Sequence, residues 1–203
     1  MTKRDLTKER KTYFSAGRKP SILQLPEVRS FVMTDGSGDP SDSPSFQEKT
    51  RLLHNLVGRI RSSESPGVGE FEMPPLEALW WTEHPEDFSL ENRDLWQWRL
   101  MVMIPDELAR DDFERARARV SYGRSDSALD SLRLGTRRAG RVAQILHVGP
   151  YPEEKRSLKI LETFLEGRGY RARGVLHEIY LGNPRRVAPE RLRTILRLPL
   201  DDD

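Results

Sequence analysis

The sequence predicts an α+β fold made of two pseudo-symmetric modules, each running strand–helix–strand–strand. Three observations predict it. Apolar, β-branched runs and apolar stripes at helical spacing follow one another in that order twice. The modules close on similar strings, LMVMIP at 100–105 and TILRLP at 194–199. Clusters of Gly, Pro, Asn and Asp separate the runs where turns are required. Two such modules side by side place helices on one face of the sheets and leave a groove between the halves, a natural ligand site.

Residues 1–26 read as an N-terminal arm, with Pro20 and Pro26 interrupting regular structure. Residues 27–200 read as one domain, with modules at about 27–105 and 141–200. Val28–Thr34 is a strand, and Asp35-Gly36 with Gly38 and Pro40 turns the chain. Ser45 is placed to cap the next helix, with Glu48 as its capping-box partner. Phe46, Leu53, Leu56, Val57 and Ile60 form that helix's apolar stripe, and the segment from Ser62 to Pro66 closes it. Leu76–Thr82 and Trp96–Ile104 are strands, and Pro105 stops the second.

A charged helix from about Ala109 to Val120 and a loop over 121–140 join the modules. Val142–Val148 is a strand ended by Gly149-Pro150. Pro152 suits the first turn of a helix whose stripe is Leu158, Leu161, Phe164 and Leu165, ending at Gly167 and Gly169. Val175–Leu181 and Arg193–Leu198 are the last strands, separated by the Gly182-Asn183-Pro184 turn and stopped by Pro199.

Composition narrows the function. The chain has 203 residues, is 36% hydrophobic and 33% charged, and so can bury a core. Lys and Arg number 34 against 32 Asp and Glu, so the signs are interspersed and argue against a nucleic-acid partner. The basic run Arg133–Arg141 reads as an exposed loop, lacking the aromatic or Gly-rich framework of a phosphate site. With no cysteine, disulfides, thiolate catalysis and Cys-based zinc sites are excluded. The histidines, His54, His84, His147 and His177, show no i,i+4 metal spacing. No metal and no organic cofactor is expected. No signal peptide and no membrane-length apolar run is present, so the expectation is a cytoplasmic monomer or homodimer with no membrane partner.

All four tryptophans fall in one stretch: Trp80, Trp81, Trp96 and Trp98. Such a cluster is either a dense core or an aromatic wall for a flat guest. Strand alternation sends Trp80 and Trp81 to opposite faces, so at most one of them lines a pocket. It also puts Trp96, Trp98, Leu100, Val102 and Ile104 on one face and Gln97, Arg99, Met101 and Met103 on the other. Trp98 and Met101 are both taken as candidate ligand contacts.

Several strings together resemble the gyrase-inhibitor-like (GyrI-like) small-molecule-binding family. They are DGSGDP at 35–40, PPLEALWW at 74–81, WQWRLMVMIP at 96–105, HVGPY at 147–151, HEIYL at 177–181, PRR at 184–186 and PERLRTILRLP at 189–199. The likeness runs from about Tyr13 to Pro199 and is nearest to a free-standing subgroup without a DNA-binding domain. That subgroup implies hydrolysis of cyclopropanoid DNA-alkylating antibiotics by opening the cyclopropane. Other relatives imply drug sensing or gyrase binding. The chain departs from the subgroup at His54 and Gly58, where relatives tend to carry tyrosines that reach the groove. The exchange widens the pocket or changes its donors, and His54 becomes a candidate substrate contact.

Glu178 is the leading candidate catalytic residue. Alternation puts it on one strand face with Leu176 and Tyr180. A carboxylate in an aromatic pocket has a raised pKa, which suits a general base or a counter-charge for a cationic guest; the alternative is a surface salt bridge with an arginine. Tyr180, on the same face, and Tyr151, at the Gly149-Pro150 turn, are candidate donors or packing residues. Glu77, facing with Leu79 and Trp81, is a second carboxylate that could position water or form a structural ion pair. His147, at the end of its strand, is a satisfied core or rim histidine, or a catalytic acid. A flat aromatic small molecule is the expected partner. Sequestration of aromatic or cationic drugs without chemistry is the rival reading.

Overall fold

The computed structural model describes residues 3–41, 43–62, 68–120 and 127–201. Six strands close into an antiparallel barrel in the order β1-β3-β2-β5-β6-β4. They are β1 (Ser21–Ser37), β2 (Leu76–Trp81), β3 (Gln97–Ile104), β4 (Arg133–Val148), β5 (Leu176–Tyr180) and β6 (Arg193–Pro199). Both modules contribute first-third-second, so the expected repeat becomes a pseudo-two-fold barrel with seams at β2–β5 and β1–β4. Closure leaves no free sheet edge. The helices are α1 (Leu6–Glu9), α2 (Pro44–Arg61), α3 (Arg110–Val120), α4 (Ser127–Asp130) and α5 (Glu154–Glu166). None of the described helices is long and apolar enough to cross a membrane.

Alternation gives the barrel two distinct faces. Trp80 pairs with Trp98, Ala78 with Leu100 and Glu178, and Leu76 with Tyr180, so these residues share the outer face. Helix α2 covers part of that face through Phe46, Leu53, Leu56 and Ile60, and α5 covers another part through Leu158, Leu161 and Leu165. Glu77, Met101, His177, Ile179, Ile195 and Arg197 alternate to the other side, into the lumen.

Two strand starts lie several residues before the sequence expectation, for one reason. β1 begins at Ser21 and β4 at Arg133 because these segments pair with each other from Ser21↔Gln144 to Met33↔Arg133. Pro26 does not end β1; it sits in the irregularity between Leu25 and Val28, where a missing N–H costs no ladder bond. The basic run 133–141 is therefore strand, not loop. The arm is also packed: Leu6, Tyr13 and Phe14 are buried. The first long helix starts two residues earlier than expected. Ser43, not Ser45, is its N-cap, its side chain accepting from the Phe46 N–H, with Pro44 in the first turn. The segment expected to close that helix is seen only at Ser62, since 63–67 lie outside the described residues, as do 121–126 of the connecting loop.

Gly36 opposes Trp98 in the β1–β3 register, and the indole lies directly over it. A Cβ at Gly36 would stand 2.2 Å from the Trp98 ring. Gly36→Ala is expected to destabilise the fold by about 1–3 kcal/mol, since the ring has no room to retreat beneath α2. A thermal melt checks this: an unchanged midpoint would mean that the Trp98 ring can move.

Candidate functional site

Glu178 lies mid-strand in β5 on the helix-bearing face and is only 6% exposed. Its Oε2 accepts two hydrogen bonds: from Trp80 Nε1–H of β2 at 3.0 Å and from the Tyr180 hydroxyl two residues on. The Trp80 bond crosses the module seam, so both halves of the molecule hold this carboxylate. Burial pushes its pKa up, while the Tyr180, Trp80 and Glu154 hydrogen bonds pull it back.

The Glu154 carboxyl is the group that sequence reasoning missed. Glu154 opens α5, is buried, and bonds to the Glu178 carboxyl. Two carboxyls this close cannot both be ionised cheaply. Burial and then the Glu178 charge raise Glu154 to about 9, and burial raises Glu178 as well, so the pair holds a shared proton. A readable signal existed. Residues 154, 158, 161 and 165 fall on one helical stripe, and Glu154 heads an otherwise all-leucine row. A carboxylate on a core stripe needs a partner.

Aromatic rings surround the pair. Phe46 of α2 stacks on Trp80 at 5.9 Å, and Trp96 packs on the same indole at 5.1 Å. Phe88 stacks on Trp96 at 5.5 Å, and the Arg93 guanidinium lies 5.1 Å from that ring. On the α5 side, Tyr151 meets Tyr180 edge-on at 5.6 Å. Burial, with Glu154 and Glu178 nearby, pushes the Tyr151 hydroxyl up to about 12; Tyr180 is also raised well above the usual phenol range, by burial first and then by Glu178. Both phenols are therefore neutral donors at physiological pH. Phe46, Tyr151 and Tyr180 remain half-buried, so part of this aromatic cluster is open to solvent.

The other expected site residues are dispersed. Trp80 reaches the site through its N–H, but its ring, 3% exposed, is covered by Phe46 and Trp96. Trp81 is on the opposite face, where its indole donates to Gln97. Trp98 is 0% exposed, packed edge-on against Phe46 and over Gly36, and is core. Glu77 and Met101 point into the lumen and do not contact the groove: Glu77 accepts from Tyr13 O–H at 2.7 Å and lies 2.8 Å from His177 Nε2. The reason is parity, since Glu77 precedes Ala78, the register partner of Glu178. His147 is buried against Ser157 and the Pro150 carbonyl, as a packing histidine is. His54 is half-buried on α2 with Nδ1 at the Thr50 carbonyl, and a Cβ on Gly58 one turn later would meet open space. Among the described residues no cluster of three or more His, Asp or Glu side chains could hold a metal ion.

The model of the GyrI-like small-molecule-binding domain matches residues 18–201. The chain belongs to the GyrI-like family. Solved structures agree over the full length. This GyrI-like chain is 33% identical to an uncharacterized conserved protein from Listeria innocua, with a TM-score of 0.88, covering 98% of this chain and 100% of that one. Two proteins described as hydrolases from Listeria innocua are 32% and 30% identical, with TM-scores of 0.85 and 0.83 and the same coverage. The C-terminal domain of EcmrR, at 11% identity and a TM-score of 0.58, covers 91% of this chain and 98% of its own, and shares the fold. No curated protein matches the chain in sequence. The GyrI-like domain is a small-molecule-binding domain, and Glu178 with its partners is the candidate site within it.

Proposed function

We propose that this GyrI-like protein binds flat aromatic small molecules and hydrolyses cyclopropanoid DNA-alkylating compounds, protecting the cell that makes it. The observation that carries the reading is the Glu178 carboxylate, buried among aromatic rings and held by Trp80, Tyr180 and Glu154. The resemblance to the cyclopropanoid hydrolase subgroup and the likeness to two hydrolases over the whole chain support it.

A cyclopropane conjugated to a carbonyl is electrophilic at its ring methylene. Water attacks that carbon, its oxygen forming the new C–O bond. The methylene–spiro C–C bond breaks, and its electron pair moves to the carbonyl oxygen. Glu178, its pKa raised, takes the proton that water loses. Tyr151, a neutral half-buried phenol beside Tyr180, supplies the donor for the oxygen that gains charge. Tyr180 is engaged with Glu178 and orients the base. Glu154, protonated, keeps the second charge out of the site. The guest's ring system lies along Phe46, Tyr151 and Tyr180 rather than on the tryptophans, whose rings are largely covered.

The test is incubation of the purified protein with a cyclopropanoid compound and mass analysis of the products. A water-added product, formed faster than in buffer alone, is expected. Tight binding with no such product would replace the proposal by sequestration, for which one anchored carboxylate among aromatic rings suffices when the guest is cationic.

A further inference from the structure

The barrel lumen, on the far side of the strands from Glu178, carries an unbalanced charge. Arg197 of β6 is 0% exposed, yet its hydrogen bonds go to neutral acceptors, Gln144 Oε1 and the Tyr13 carbonyl. Its Nη1 is buried with no partner. Arg137 of β4 sits opposite Arg29 in the β1–β4 register, which turns it to the same side, and its Nη1 is likewise buried and unpartnered. The one carboxylate beside them, Glu77, spends Oε2 on Tyr13 and His177 and leaves Oε1 unpartnered. Other lumen-side arginines are compensated: Arg99 and Arg133 pair with Asp35, and Arg29 with Glu27 and Asp106.

Two guanidiniums thus face one carboxylate on the lumen side of the barrel, and a buried charge left uncompensated costs several kcal/mol. Neutral histidine adds nothing to the balance: burial, reinforced by Arg137 and Arg197, drives His177 well below its usual range. Buried guanidinium N–H groups without acceptors also lose their hydrogen-bond free energy. We propose that the lumen binds one small monovalent anion of halide size, held between Arg137 Nη1 and Arg197 Nη1. Its acceptor capacity satisfies both orphaned donors and offsets the excess positive charge of the barrel core. Glu77, raised to about 7 by burial, adds a third donor from Oε1 when protonated and otherwise repels the ion. Tyr13, His177, Arg137 and Arg197 are the charged or titratable groups facing Glu77; burial holds the Tyr13 phenol well above and the His177 imidazole well below their usual ranges, so Glu77 sets the response and halide binding tightens as pH falls through about 7.

The test uses the full chain. Crystals grown in sodium bromide are expected to show an anomalous peak within hydrogen-bond reach of both Nη1 atoms. In solution, replacing glutamate by chloride at constant ionic strength should raise the melting temperature by a few degrees, saturably. Arg137→Gln, at a position with its residue only half-buried, should fold and lose both responses. A water peak without anomalous signal in the bromide crystals, or melting that is identical in chloride and glutamate, overturns the proposal.

Discussion

Glu178→Gln is expected to abolish hydrolysis of a cyclopropanoid substrate while preserving binding. The glutamine keeps the volume of the side chain, and its amide oxygen still accepts from Trp80 and Tyr180, so the walls of the site stay in place. It cannot take a proton from water. Removing a positioned general base costs roughly 10²–10⁴-fold in rate. Binding is followed through the tryptophan emission, since Trp80 donates to the substituted side chain. Chemistry is followed in a single turnover by loss of the cyclopropane chromophore. Wild-type turnover by the variant would remove Glu178 from the catalytic role. Loss of binding together with turnover would make it an anchor for the ligand instead.

The physical reason for trusting Glu178 over other carboxylates is partly legible in the sequence. Strand parity alone puts Glu178 with Tyr180 on one face, and both are found there. Parity also separates Trp80 from Trp81, and Trp80 is the one that reaches the site. What parity does not state is which face carries the helices. Glu77 and Met101 were expected at the groove because nothing local distinguishes lumen from outer face. That distinction arises from barrel closure, which joins strands from opposite ends of the chain. The same closure explains the underestimated strands. Residues 21–26 are a short apolar stretch that ends in Pro26, and 133–141 are largely basic, so neither reads as a strand, yet both join the ladder because β1 and β4 seal the barrel. Trp98 illustrates a different limit. Its partner Gly36 lies on another strand 62 residues earlier in the chain, and only the β1–β3 register reveals that the ring is spent on packing.

Glu154→Gln should make the protein more stable in mildly alkaline solution and flatten the pH dependence of its stability. The folded pKa of Glu154 is raised above the ordinary carboxyl value of 4.5 to about 9, so folding takes up a proton between these values. The contribution is fully present below pH about 4.5 and is lost progressively as pH rises toward about 9. Glutamine has no proton to lose. Its amide N–H replaces the carboxylic O–H as donor to Glu178, so the geometry around the base is kept. At pH 8 the variant is expected to exceed the wild type by at least about 1–2 kcal/mol, several degrees in melting temperature, and the two should converge near pH 5. Melts across that pH range decide the matter. Identical curves would mean that Glu154 is solvated rather than buried against Glu178. The same exchange separates structure from chemistry at the site. If Glu154 serves only to keep one charge out and to orient Glu178, the glutamine variant hydrolyses substrate at neutral pH and loses only the alkaline fall in rate that ionisation of Glu154 causes. If activity vanishes with Glu154→Gln while the fold grows more stable, the proton on Glu154 takes part in the reaction itself, and the carboxyl pair, not Glu178 alone, is the catalytic unit.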